Sequence, residues 1–191
     1  MPGLTLSSGE RWAVRGAAGI ARSRRIAETA MLIGAACVLS VVESSLPPLA
    51  APMPWLRVGL ANVAVVTALA YGGLSMAAAV SIGRLVIVGL ATGDLAGPGS
   101  VVAASGALCS LVVMGVLAHH RRVFTPVSWS AAGAAAHVLG QFAAAAALLG
   151  STDVWRLAPP SGLLALPFGA LVGAIASTVT SRLPHGRWPN G

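Results

Sequence analysis

The chain has 191 residues and only 9% of them are charged, against about a quarter in a water-soluble domain. That is too little polar surface to cover a soluble exterior, and the length allows one compact bundle. All 12 basic residues are Arg and the formal net charge is +7. They lie mostly in connections between apolar stretches, so we read the excess as a topology signal and exclude nucleic acid as a partner.

Six apolar stretches follow one another: Ile26–Leu46, Trp55–Leu74, Ser75–Thr92, Val101–Ala118, Ser128–Gly150 and Ser161–Ser181. Each is close to the ~20 residues that a helix needs to cross a bilayer core. None alternates with the period of two of a barrel strand, so helices are predicted throughout. The expected fold is an all-α, polytopic membrane protein with six transmembrane helices. Residues 1–25 form a basic N-terminal tail, 26–182 the membrane domain and 183–191 a short C-terminal tail. If helical, Glu10–Arg25 places Arg11, Arg15, Arg22 and Arg25 on one face, suited to an anionic leaflet. Gly16 and Gly19 weaken that helix, and a disordered basic tail is the alternative.

Arg11, Arg15, Arg22, Arg24 and Arg25 precede the first stretch. Arg121 and Arg122 separate the fourth from the fifth, and Arg182 and Arg187 follow the sixth. Six crossings put all nine on one side, opposite Arg57, Arg156, Asp94 and Asp153. The positive-inside rule then places both termini in the cytoplasm and the protein in the cytoplasmic (inner) membrane. A cleaved signal peptide over residues 11–51 is the rival reading. Cys37 and Cys109 fall inside apolar stretches and read as unpaired thiols. Trp12, Trp55, Trp155 and Trp188 read as an interfacial belt. His119 and His120 have no further ligands nearby, so no metal and no cofactor is expected.

Polar side chains at depth are costly in a membrane and tend to mark function. With a rise of about 1.5 Å per residue, Arg84 lies roughly 15 Å in, near the midplane. His137 lies at a similar depth, and Gln141 is one turn further out on the same face. Asn62 sits about 10 Å below the opposite surface, close to the level of Gln141. Glu43 and Ser105 also belong to that outer half. The asymmetry predicts a cavity opening outward, with Arg84 and His137 as its floor. Arg57, just after Pro54, stands where the start of helix 2 would favour an anion. That anion is Glu43, a lipid phosphate or a substrate group. The structural alternatives are a Glu43–Arg57 rim salt bridge, neutralisation of Arg84 by Glu43 or helix-end carbonyls without a ligand, interhelical hydrogen bonds for Asn62, His137 and Gln141, and simple packing for Ser105 and Cys109.

Several of these residues stand in strings whose order and spacing are fairly specific: VVESSLPPL at 41–49, RVGLAN at 57–62, SIGRLVIVG at 81–89, SGALCSLVVMG at 105–115 and AAAHVLGQ at 134–141. From about Arg25 to Arg182 the chain resembles the small bacterial membrane family called Gx transporter, also known as heptaprenyl diphosphate synthase component I. In architecture it is similar to the substrate-binding S components of energy-coupling-factor transporters. The resemblance highlights Glu43, Arg57, Gly59, Asn62, Arg84, Ser105, Gly106, His137, Gly140 and Gln141. It departs from the family at Arg57, where Lys is common, at Val138, where Asn is common, and at Ala107, where Gly is usual. The S-component likeness implies a partner face on helix 1 at Ala27, Ala30 and Gly34, with coupling and ATPase subunits as partners. The same small residues would equally suit packing within the bundle.

These features lead to an expected function: a membrane subunit that captures a small, polar or anionic molecule from outside over Glu43, Arg57, Asn62, Arg84, Ser105, His137 and Gln141. The chain lacks a GxxxxGK[ST] phosphate loop, so energy would come from elsewhere. The alternative is a non-catalytic, membrane-bound auxiliary component of a prenyl diphosphate synthase. Catalysis there needs clustered carboxylates for Mg²⁺, whereas the two Asp are far apart in sequence. Neither reading makes this chain an enzyme.

Overall fold

A computed structural model describes residues 8–45 and 59–183, and among them every regular element is helical. The order is α1 (Ser8–Ser45), α2 (Asn62–Gly72), α3 (Leu74–Thr92), α4 (Pro98–His119), α5 (Pro126–Leu149), a 3₁₀ turn (Asp153–Leu157) and α6 (Ala158–Arg182). Five of the helices, all but α2, are long and apolar enough to cross a membrane. Large apolar side chains such as Met31, Leu90, Leu108 and Leu163 point outward. An apolar exterior around a helical bundle fits lipid as the surrounding solvent. The chain is thus a multi-pass membrane protein.

The bundle is assembled around α2. Ala64, Val65, Val66, Thr67, Ala68 and Leu69 are all buried, and α2 packs against each of the other five helices. It has 11 residues, about 16 Å of helix, or half a bilayer core. The apolar stretch 55–74 is therefore not one helix. Gly59 has φ +79, a left-handed conformation that interrupts a helix and that non-Gly residues rarely adopt. At the other end a single residue, Gly73 at φ +83, reverses the chain into α3. Arg25 Nη2 donates to the Gly72 carbonyl (3.2 Å) and to Ser75 Oγ (2.8 Å), so α1 clamps this turn.

Helix α1 carries the Glu10–Arg25 segment as helix, the helical of its two readings, without a break before the apolar stretch. It is continuous from Ser8 and has 38 residues, about 57 Å, far more than a bilayer core requires. Gly16 and Gly19 do not interrupt it, and a side chain at either would meet nothing within 4 Å. Ala27, Ala30 and Gly34 are exposed, so they do not pack inside this bundle. Cys37 and Cys109 are both free thiols. Trp12 and Trp155 are exposed; Trp55, Trp188, Arg57 and Arg187 lie outside the described residues.

Helices α4, α5 and α6 form the tightest layer. Their backbones approach closely because Gly stands at the crossing points. A Cβ at Gly169 of α6 would lie 2.7 Å from the Ser130 carbonyl oxygen and 2.8 Å from Ala131 Cα. A Cβ at Gly173 would lie 2.6 Å from Val127 Cα. In lipid, such close packing is the principal attraction between helices. Substituting Gly169→Ala is predicted to destabilise the bundle by about 1–3 kcal/mol through overpacking. Gly162→Ala in the same helix, where a Cβ meets nothing within 4 Å, should leave stability unchanged or slightly raised. Thermal unfolding of both variants in detergent checks this; equal effects would show that the close crossing is not what limits packing.

Candidate functional site

One half of the bundle is hollow. A cavity of about 360 Å³ lies where α1, α3 and α5 end and where α2, α4 and α6 begin. This is the half remote from the Arg121–Arg122 loop and from Arg25. Each of the six helices contributes to its wall. The volume falls in the range of small-molecule pockets.

Arg84 of α3 and His137 of α5, each well inside its helix, line the cavity. Arg84 Nε and His137 Nδ1 are buried and have no hydrogen-bond partner. Among the described residues Arg84 has no ion-pair partner within 4.0 Å, although the Glu43 carboxylate lies near enough to act on it electrostatically. His137 feels the charge of Arg84 in turn and lies close against Gly106 on α4. A guanidinium at mid-depth costs at least ~2.5 kcal/mol on insertion scales, and an unmet buried donor adds about 1–3 kcal/mol. Groups left in that state beside a cavity are poised for water or for an external acceptor.

Glu43, near the end of α1, Asn62, at the start of α2, and Gln141 stand on the same wall. Glu43 accepts the backbone N–H of Gly59, and this ties α1 to the turn that leads into α2. Asn62 follows one tight turn later, its N–H donating to the Gly59 carbonyl at 2.8 Å. Gln141 shares the α5 face with His137. That face sits against α4 because residue 106 is Gly: a Cβ there would lie 2.8 Å from Gln141 Cγ and 3.0 Å from His137 Cε1.

The structure thus brings Glu43, Asn62, Arg84, His137 and Gln141 around one space. Ser105 goes elsewhere. Its hydroxyl donates to the Gly140 carbonyl at 2.8 Å, and it is absent from the cavity wall. With Gly140, over which Ser105 O and Cys109 Sγ would crowd any Cβ, it forms the α4–α5 crossing. Arg57 lies outside the described residues.

Other wall residues were not expected. Phe142 and Phe168 give the cavity an aromatic side, backed by the cluster of Val138 and Ala165. In an apolar stretch, a Phe facing a cavity and a Phe facing lipid look alike. Asp94 lies in the α3–α4 connection, as expected, and its carboxylate reaches over the start of α4 and joins the wall. Gly97 and Gly99 admit it, since a Cβ at either would collide with its carboxylate oxygens. Ser100 Oγ donates to the Asp94 carbonyl. The spacing of Gly behind Asp94 was the available signal.

These features define a polytopic helical membrane protein with a polar cavity sunk into one half of its bundle. The family model for heptaprenyl diphosphate synthase component I matches residues 32–179, and the chain belongs to that family. No curated protein and no solved structure matches it.

Replacing Glu43 by Ala leaves the Gly59 N–H without its acceptor and is predicted to cost about 1–3 kcal/mol. Glu43→Gln, which keeps an acceptor oxygen, should lose less. Thermal unfolding of the two variants compares them; equal loss would mean that charge, not the Gly59 hydrogen bond, sets the contribution.

Proposed function

We propose that this protein is a non-catalytic membrane subunit that captures a small polar or anionic molecule in its cavity. The observation that carries the reading is the pair of unpartnered buried nitrogens on the cavity wall, the donor Arg84 Nε and the ring nitrogen His137 Nδ1. An incoming carboxylate or phosphate would satisfy Arg84, and His137 would accept from or donate to the same ligand. Gln141 and Asn62 add amide contacts, while Phe142 and Phe168 offer an apolar surface for the rest of the molecule. The cavity occupies the half of the bundle opposite the Arg-rich connections, which under the positive-inside rule is the outer half. Both termini then lie in the cytoplasm, the membrane is the inner one, and the ligand arrives from outside for uptake. The exposed α1 face at Ala27, Ala30 and Gly34 would be free to meet a coupling subunit, with an ATPase supplying energy. The likeness to S components rests on the sequence strings.

The family match favours a second reading, an auxiliary membrane component of heptaprenyl diphosphate synthesis. Here a partner component would perform the chemistry. This chain holds Asp94 in the cavity wall, while Asp153 pairs with Arg156 at 3.4 Å in an exposed turn. Asp94 shares that wall with Glu43, and among the described residues no group of three metal-ligating side chains forms around them.

Native mass spectrometry of the tagged protein, purified in mild detergent from its own host, separates the two. A bound polar metabolite or co-purifying ATPase subunits supports capture. A co-purifying prenyl synthase supports the second reading. Arg84→Leu is expected to abolish the bound metabolite while retaining or raising thermal stability, because it removes a charge from mid-depth. Unchanged binding would remove Arg84 from the site.

A further inference from the structure

We propose that a groove on the outer surface, between α1 and α3 at the Arg-rich end, is a specific site for an anionic phospholipid. The groove holds about 470 Å³ and lies apart from the central cavity. Arg22 and Arg25 stand at one end, and Ile26, Ile33, Met76 and Ala79 carry it onward. One end is therefore cationic and the remainder mostly apolar, with Thr29 and Ser75 the hydroxyl exceptions, which is the pattern of a phospholipid with its head at Arg22 and a chain along α1. The dimensions agree. From Arg22 to Ile33 the helix rises about 16 Å, roughly half of a ~30 Å hydrocarbon core and so the depth of one leaflet.

The charges near the groove are not equivalent. Arg24 pairs with Glu28 at 2.7 Å, and Glu28 also accepts from Tyr71 OH at 3.1 Å. Arg25 spends Nη2 on Gly72 and Ser75. Arg22 has no hydrogen-bond or ion-pair partner among the described residues, and it is exposed. Gly72 and Ser75 are neutral acceptors, so Arg25 keeps its charge, and beside it Arg22 has all its donors free for the phosphodiester of an anionic lipid. Near an anionic leaflet each such Arg contributes attraction that falls away within a Debye length. The apolar groove adds the selectivity of a fitted chain. Bound there, the lipid would also brace the clamp that Arg25 places on the α2–α3 turn.

The test is native mass spectrometry of the full chain released from micelles containing equal amounts of phosphatidylglycerol and phosphatidylcholine. Wild-type protein should retain phosphatidylglycerol about fivefold over phosphatidylcholine, the factor that one cation at an anionic surface commands. Arg22→Gln should erase that preference. Ala79→Phe, which fills the groove without touching charge, should lower both adducts while thermal unfolding stays near wild type. Arg25 is left intact because it holds the turn. Equal retention of the two lipids by wild type, or preference surviving both variants, would overturn the assignment. So would displacement of phosphatidylglycerol by an equimolar polyprenyl diphosphate.

Discussion

The shortness of α2 governs the rest of this structure. A bilayer core asks for about 20 helical residues, and α2 supplies 11. Within its length it is the most buried helix of the bundle, and the five longer helices close around it. At its start, near Asn62, the helical plug ends and the cavity begins. Gly59 in a left-handed conformation sets that boundary, and the Glu43 carboxylate holds its N–H. A backbone that leaves the helix at membrane depth needs an internal partner or access to water. Here an acidic side chain provides the partner and the cavity is adjacent.

The two halves of the protein are consequently built by different rules. In the half around α2, Ala, Val and Leu fill the interior to near-complete burial, and the Gly73 turn packs against α1 through Arg25. In the other half, α4 and α5 are drawn together by Gly106 and Gly140. That close crossing fixes the α5 face bearing His137 and Gln141. Arg84, across the cavity on α3, is positioned by a helix whose other faces meet α1, α2 and lipid. Its cost at mid-depth is intelligible if the cavity admits water or ligand to the guanidinium.

Much of this was legible in the sequence because a helix converts residue number into depth at a constant rate. Arg84 and His137 were expected at one level, with Gln141 and Asn62 further out, and the structure gathers them with Glu43 around one space. Direction was harder to read. Ser105 was placed at the right depth, yet it turns to the Gly140 carbonyl, and no count of residues in an Ala- and Gly-rich stretch reveals that rotation. Phe142 and Phe168 are indistinguishable by hydropathy from lipid-facing neighbours. Asp94 required the three-dimensional turn that Gly97 and Gly99 permit. The stretch 55–74 looked like one span because Gly59 is apolar by composition, and only its φ shows the break. The length of α1 was obscured by Gly16 and Gly19, whose low helix propensity is overridden in the continuous helix.

The central claim is a water-filled cavity that opens on the face opposite the Arg-rich connections and reaches Arg84. Its most direct test is thiol accessibility. In a background with Cys37 and Cys109 replaced by Ala, Ala103→Cys places a thiol on the cavity wall. Leu108→Cys, on the exposed side of the same helix, serves as the lipid-facing reference. The account predicts that a membrane-impermeant maleimide added outside intact spheroplasts labels residue 103 much faster than residue 108. Labelling of residue 103 only after the cytoplasmic face is exposed, or not at all, would contradict it.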